Sequence, residues 1–446
     1  MEKNNLTDYR VDKTIIRLTI PMIFGMLSLV IFNLTDTYFI GRLGMDQLAA
    51  ISFTFPVVLI INSLALGMGI GTASIVSRAA GSGNHKLLVK TSTDGLILSF
   101  CFVVIATIIG LNTIDPIFTL LGAGNDVMGY IREYMSIWYL GMPFVVVPMV
   151  GNYIIRSLGD TKTPSIIMTI AATVNVILDP LFIFGIGPFP EMGIKGAALA
   201  TVFSRMITFT VALYVLIFRD KVVKFRIREL KDAYESWKQI LYVGIPAAIV
   251  RIITPVSVGI ITRLISAYGY EAVAGYGVGT KIEYFLLAFV NAMSNVMVPF
   301  AGQNYGAKKD YRIIEGMNYV RKTMFKYSIF IFVLMIFLAD KIAPLFNDNI
   351  EVNKITILYL TILPVGYGFQ GMLLNNASIL NAVNKPFYAA LFSSVQMFVI
   401  CVPLAVTMSR YIGIKGIFIA LLISYIISGS FSYLFTKKTI RKKRIK

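Results

Sequence analysis

The chain has 446 residues, 57% hydrophobic and 14% charged, where a soluble protein carries about 25% charged residues. Its net charge is +18, from 41 Lys and Arg against 23 Asp and Glu. This composition excludes a water-soluble enzyme and a disordered or fibrous chain, and the apolar runs do not alternate with polar residues as barrel strands do.

A transmembrane helix takes roughly 20 mostly apolar residues. In chain order the apolar stretches lie near 14–42, 46–80, 87–112, 126–157, 163–186, 194–218, 238–268, 272–305, 310–340, 351–380, 386–409 and 414–436. The expected fold is therefore an all-α membrane protein with twelve transmembrane helices. The opening MEKNNLTDYRVDK is polar and shows no cleavable signal pattern, so the first stretch is expected to stay in the mature protein. Cys101 and Cys401 both lie inside apolar stretches and read as reduced packing residues. His85, the one histidine, falls in the loop GSGNHK and is expected in water.

Charge sets the expected orientation. With both termini inside, the cytoplasmic segments hold about 30 of the 41 basic residues and the external ones about 8, the bias of an inner-membrane protein. The polar segment 219–237, RDKVVKFRIRELKDAYESW, divides the chain. The expected organisation is a first six-helix lobe over 1–218, a cytoplasmic linker over 219–237, a second lobe over 238–436 and a basic tail over 437–446. In the linker Val223, Phe225 and Ile227 alternate with charge, while Leu230, Ala233, Tyr234 and Trp237 have helical spacing. That pattern predicts a short amphipathic helix on the inner membrane surface.

The two lobes repeat one another. GIKGAALATVFSR from Gly193 matches GIKGIFIALLISY from Gly413, 220 positions on. RSLGDTKTP ending at Pro164 matches ILNAVNKP ending at Pro386, RLGMDQLAA around Gly44 matches AYGYEAVAG around Gly269, and Pro21 matches Pro246. Six helices per repeat leave both lobes with one orientation, so the lobes form two pseudo-symmetric bundles. Parallel repeats of this kind are a transporter architecture, with substrate held between the halves and alternating access by rocking.

Burying a charge at the bilayer centre costs about 2.5–3.5 kcal/mol on insertion scales, so each intramembrane ionisable residue is a functional candidate. Asp36 lies late in the first stretch and Asp179 late in the fifth. Asn175 precedes Asp179 by four residues and shares its helix face. Pro180 follows and leaves one backbone carbonyl without its donor. Two carboxylates and an amide can share a proton, since neighbouring carboxylates do not both stay ionised cheaply. They can also ligate a hard cation such as Na+, whereas no His or Cys stands near to make a transition-metal site. In the second lobe the counterparts of Asp36 and Asp179 are Ile261 and Cys401, so cation coupling is expected in the first lobe. The second lobe has Arg251, Lys281 and Glu283 instead. An Arg251–Glu283 contact facing substrate is one reading, and the other is that Lys281 and Glu283 pair locally or reach water. GMGIG over 67–71 lies inside a helix and signals close helix packing, not dinucleotide binding. No GxxxxGK[ST] loop is present, which excludes ATP hydrolysis through that motif. A membrane enzyme is not expected either, for want of a cluster of nucleophile, base or metal ligands.

RSLGDTKTP, NVILDPLFIFG, the following GIKGAALAT and the first-stretch LTDTYFIGRLG, over the whole chain, resemble the multidrug and toxic compound extrusion (MATE) family of the multidrug/oligosaccharidyl-lipid/polysaccharide flippase superfamily. The resemblance implies export of cationic and amphipathic compounds by antiport against H+ or Na+. It implies a cation site at Asp36, Asn175 and Asp179, with Tyr134 and Asn152 as further polar residues of the first-lobe cavity. It implies that cation binding draws the first helix toward the fifth, with Pro21 and Pro180 as bending points. A second-lobe Na+ site is not implied, because the seventh helix has Arg251 and the tenth has NNASILN with no acid. No cofactor and no nucleic acid are expected, and one chain holding both lobes suggests a functional monomer in membrane lipid. The alternative within the superfamily is a lipid-linked oligosaccharide flippase.

Overall fold

The computed structural model describes residues 6–224 and 230–442, and among these every regular element is helical. The first half comprises α1 (Val11–Gly41), α2 (Met45–Gly81), α3 (His85–Asn112), the short α4 (Ile114–Leu120), α5 (Asn125–Ser157), α6 (Lys162–Phe184) and α7 (Gly193–Tyr214). The second comprises α8 (Leu230–Ile265), α9 (Tyr270–Asn295), α10 (Met297–Gly306), α11 (Asp310–Ile342), α12 (Ile350–Ile362), α13 (Tyr367–Ala382), α14 (Pro386–Ser394) and α15 (Val402–Lys442). Two prolines explain why single crossings carry two labels. Pro299 cannot donate to Asn295, where α9 ends, and Pro364 cannot donate to Leu360, near the end of α12.

Among the described residues eleven runs are long and apolar enough to cross a membrane, and the last, Pro386–Arg441, has 56 residues. A straight helix of that length would measure about 84 Å, against a hydrocarbon core of about 30 Å. The run breaks at Ile412–Gly413, where Gly413 takes φ +63°. It therefore crosses twice, and the fold is the twelve-helix, two-bundle membrane architecture.

The repeat is visible element by element. The spans Met45–Gly81 and Asn125–Ser157 recur as Tyr270–Gly306 and Ile350–Ala382, 225 positions later at both ends. The shared GIKG motif has a physical basis. Its first glycine has positive φ in both copies, +54° at Gly193 and +63° at Gly413, a conformation a Cβ disfavours. Its second glycine lies against a carbonyl of the preceding helix. A Cβ on Gly196 would stand 2.4 Å from the Phe182 oxygen, and one on Gly416 2.3 Å from the Met408 oxygen.

The chain forms two compact units, Ile20–Ala248 and Ile249–Lys446, the second also taking in the segment that ends at Thr19. These boundaries differ from the lobes expected at 218 and 238. In the first unit α5 is the central helix, packed by α2, α3 and α7. Its Trp138, Met142, Val146, Val150 and Ile154 recur at four-residue spacing through one apolar core. GMGIG does serve close packing. A Cβ on Gly67 would stand 2.4 Å from the Gly244 oxygen, and one on Gly71 2.2 Å from that of Ile240. This contact holds the start of α8 to the first unit.

Among the described residues the linker forms no separate surface helix. Val222 and Val223 are buried in the first unit's core. The Lys224 N–H donates to Thr93 Oγ1 at 3.1 Å, and the Trp237 indole donates to the Asp94 carbonyl at 3.0 Å. Residues 230–237 are the opening turns of α8 itself. No Gly or Pro stands between Leu230 and Val243 to end a helix there. Phe225, Arg226, Ile227 and Arg228 lie outside the described residues, as do 443–446 of the basic tail.

In the second unit α13 is central, packed by α9, α10, α11, α14 and α15. The unit also anchors the residues before α1. The Leu6 N–H donates to Gln303 Oε1 at 3.3 Å, and Asn304 Nδ2 donates to the Leu6 carbonyl. Arg312 donates to the Tyr9 carbonyl, and Lys309 Nζ lies 2.6 Å from Asp8. That ammonium holds the Asp8 carboxyl below the usual carboxylate range.

Overpacking of a tight contact costs about 1–3 kcal/mol. Gly196→Val and Gly416→Val are each expected to lower the thermal unfolding midpoint in detergent by several degrees. Gly129→Val, where a Cβ meets nothing within 4 Å, is expected to leave it unchanged. Equal midpoints for all three would refute the packing account.

Candidate functional site

The site is built where α1 and α6 run side by side. A Cβ on Gly25 of α1 would stand 3.1 Å from the Ser165 backbone of α6, so the helices approach closely there. One turn further out Ser28 Oγ and Thr169 Oγ1 hydrogen-bond at 2.8 Å. The same face of α1 then presents Phe32 and, four residues on, Asp36. The corresponding level of α6 carries Asn175 and Asp179, both fully buried.

Asn175 Nδ2 donates to Asp179 Oδ1 at 3.1 Å. Asp36 and Asp179 are close enough to interact electrostatically, and Tyr134 of α5, also buried, lies within reach of both. Asp36 Oδ1, Asp179 Oδ2 and Asn175 Oδ1 are buried oxygens with no hydrogen-bond donor. Among the described residues no Lys or Arg forms an ion pair with either carboxylate. An array of buried acceptors without donors is costly unless a proton or a cation fills it. Its oxygen-only chemistry suits H+ or a hard ion. Among the described residues no three-member cluster of His, Cys, Asp or Glu forms a metal site.

The structure thus brings Asp36, Asn175, Asp179 and Tyr134 together. It does not bring Asn152 to them. Asn152 lies 18 residues after Tyr134 on α5, about 27 Å along the helix, one turn from Arg156. Pro180 lies inside α6 directly after Asp179, and Pro21 lies inside α1, next to the residue at which the chain passes between units. Both helices continue through their prolines.

The second half has no equivalent cluster. Ile261 and Cys401, at the positions of the two acids, are both buried in that half's apolar core. Glu283 is also buried, and Tyr359 donates its hydroxyl to Glu283 Oε2. Arg251 is exposed on α8 and forms no contact with Glu283, and Lys281 is exposed as well. Neither pairing forms: Arg251 and Lys281 are exposed while Glu283 is buried, with Oε2 accepting from Tyr359 and Oε1 left without a partner. His85 is exposed.

One charged residue was legible in the sequence and belongs with the site. Arg205 stands in the middle of the apolar run of α7, and its guanidinium carbon lies 4.9 Å above the Phe32 ring. Its Nε is buried and has no hydrogen-bond partner. Its signal in the sequence is a lone arginine inside the apolar ATVFSRMITFT.

The MatE family model matches the chain twice, over 21–181 and 246–407, starting at Pro21 and Pro246. A FAD transporter of Shewanella oneidensis is 35% identical over 97% of this chain and 96% of its own length. The probable multidrug resistance protein YoeA of Bacillus subtilis is 28% identical over 95% of this chain and 94% of its own. Among solved structures, the MATE transporter VcmN of Vibrio cholerae in its bent form superposes with TM-score 0.93 at 28% identity, covering 98% of both chains.

Trp138 sits one turn from Tyr134, so intrinsic fluorescence reports on the cluster. Titration with H+ or Na+ is expected to change the emission. Asn175→Ala, which removes the donor to Asp179, is expected to shift the midpoint at least tenfold, and Asn152→Ala is expected to leave it in place. A shift with Asn152→Ala and none with Asn175→Ala would misplace the site.

Proposed function

The chain belongs to the MatE family of membrane transporters, and from that premise we propose that it exports amphipathic organic compounds by antiport against H+ or Na+. The observation that carries this reading is the buried acceptor cluster of Asp36, Asn175 and Asp179 on two parallel helices. Two close carboxylates repel one another. A bound cation removes the repulsion and favours a state in which α1 closes on α6. Pro21 and Pro180 each remove one backbone bond and so lower the cost of bending. Closing α1 moves its inward face, Ser28 and Phe32 included, and so alters the space open to a substrate. Coupling then follows if cation and substrate stabilise different states of one equilibrium.

The basic residues on one side support a cytoplasmic membrane protein with both termini inside, working as a monomer without a cofactor. On the substrate, resemblance to multidrug exporters supports cationic and amphipathic drugs; Glu283 accepts from Tyr359 at Oε2 and keeps Oε1 buried without a partner. The 35% identical FAD transporter supports a second reading, an anionic substrate, and the unpaired Arg205 inside the first bundle favours it.

Proteoliposomes under ΔpH alone and ΔNa+ alone test the antiport. One gradient is expected to drive uptake of an amphipathic dye, and Asp36→Asn is expected to reduce it to the level of empty liposomes without changing the size-exclusion profile. Transport indifferent to both gradients would remove antiport and favour flipping of a lipid-linked oligosaccharide.

A further inference from the structure

Arg205 lies 12 residues from the start of its span at Gly193 and 14 from the end at Arg219. Those separations are about 18 and 21 Å of helix, farther than the side chain reaches to either membrane surface. A guanidinium keeps its charge under all ordinary conditions. A purely structural arginine at this depth is expected to be tied to a carboxylate or to carbonyl oxygens. Arg205 forms no ion pair or hydrogen bond among the described residues, and its contact is the face of Phe32.

A second guanidinium repeats the arrangement nearer the inner end of the same bundle. Arg156 of α5 lies 5.3 Å above the Tyr153 ring. Its Nε is buried and unbonded, and its Nη2 reaches only the Met168 sulfur at 3.3 Å. Met168 precedes Thr169, the partner of Ser28, and Phe32 is one turn outward from Ser28. The two arginines therefore stand at neighbouring depths, with the carboxylate cluster one further turn out. Among the described residues neither arginine forms an ion pair with Asp36 or Asp179.

We infer that Arg205 with Phe32, supported by Arg156 with Tyr153, is a binding site in the first bundle for an amphipathic organic anion, one that joins a phosphate or carboxylate to a planar ring. The guanidinium fork matches such an oxyanion through paired hydrogen bonds. The rings of Phe32 and Tyr153 supply apolar faces for the planar body. The inference rests on the export reading for its biological direction, and the site itself is a matter of binding. Because Phe32 and Asp36 ride on one face of α1, movement of that helix links occupancy at the two levels.

Equilibrium binding to the purified full-length protein tests the inference, with flavin mononucleotide as probe and riboflavin as its uncharged counterpart. The wild type is expected to bind the phosphorylated probe at least tenfold more tightly than riboflavin. Arg205→Gln is expected to erase that preference and leave riboflavin binding within threefold, and Phe32→Leu is expected to weaken both. If Arg205→Gln fails to fold, Arg156→Gln, expected to reduce the preference at least threefold, carries the test. Equal binding of the two probes by wild type, or a preference unchanged in the folded arginine variants, overturns the site. Failure of the antiport is read separately. There the gradients drive no transport while the Arg205-dependent preference persists.

Discussion

Unpaired charge in an apolar bundle is the constraint on which the rest depends. Asp36, Asp179 and Arg205 each keep a buried polar atom without a partner, and the first bundle does not pair the acids with the arginine. It keeps the acids and the guanidiniums at different levels along the helices. Such an arrangement is expensive in a resting protein and useful in one whose ligands complete it. The cost is borne by a rigid surround: α5 at the centre, the close contact of α2 with α8 through Gly67 and Gly71, and the α1–α6 contact at Gly25.

The duplicated half repeats the scaffold without acids at those two positions. Ile261 and Cys401 occupy the positions of the acids and are packed in apolar core. The scaffold's common requirements persist in both halves. The positive φ at the first glycine of GIKG and the tight carbonyl approach at the second are backbone needs that no side chain meets. Scaffold and site have thus diverged independently along one chain.

Much of the site was legible because period and depth are linear properties. Asn175 and Asp179 share a face by their four-residue spacing, and Asp36 falls late in its stretch, so the three were expected at one outer level. Tyr134 joined them, since it lies early in α5, at the level where α1 and α6 end. Asn152 did not, and its 18-residue separation from Tyr134 already placed it near the other end of the helix. Arg251 and Glu283 failed for a different reason. Which partner a buried carboxylate takes depends on side chains from other helices, and Tyr359, 76 residues away, was not visible from either.

The sequence by itself determined the membrane class, the count of crossings, the duplication and the shared level of Asp36, Asn175 and Asp179, because hydropathy, period and offset are read along one dimension. Only the tertiary structure decided that residues 230–237 continue a membrane helix, that the start of α8 packs with the first unit, and that Arg205 meets a ring and not an acid. Those outcomes depend on which helix faces are neighbours, a choice made by close packing of glycines and side chains distant in the chain.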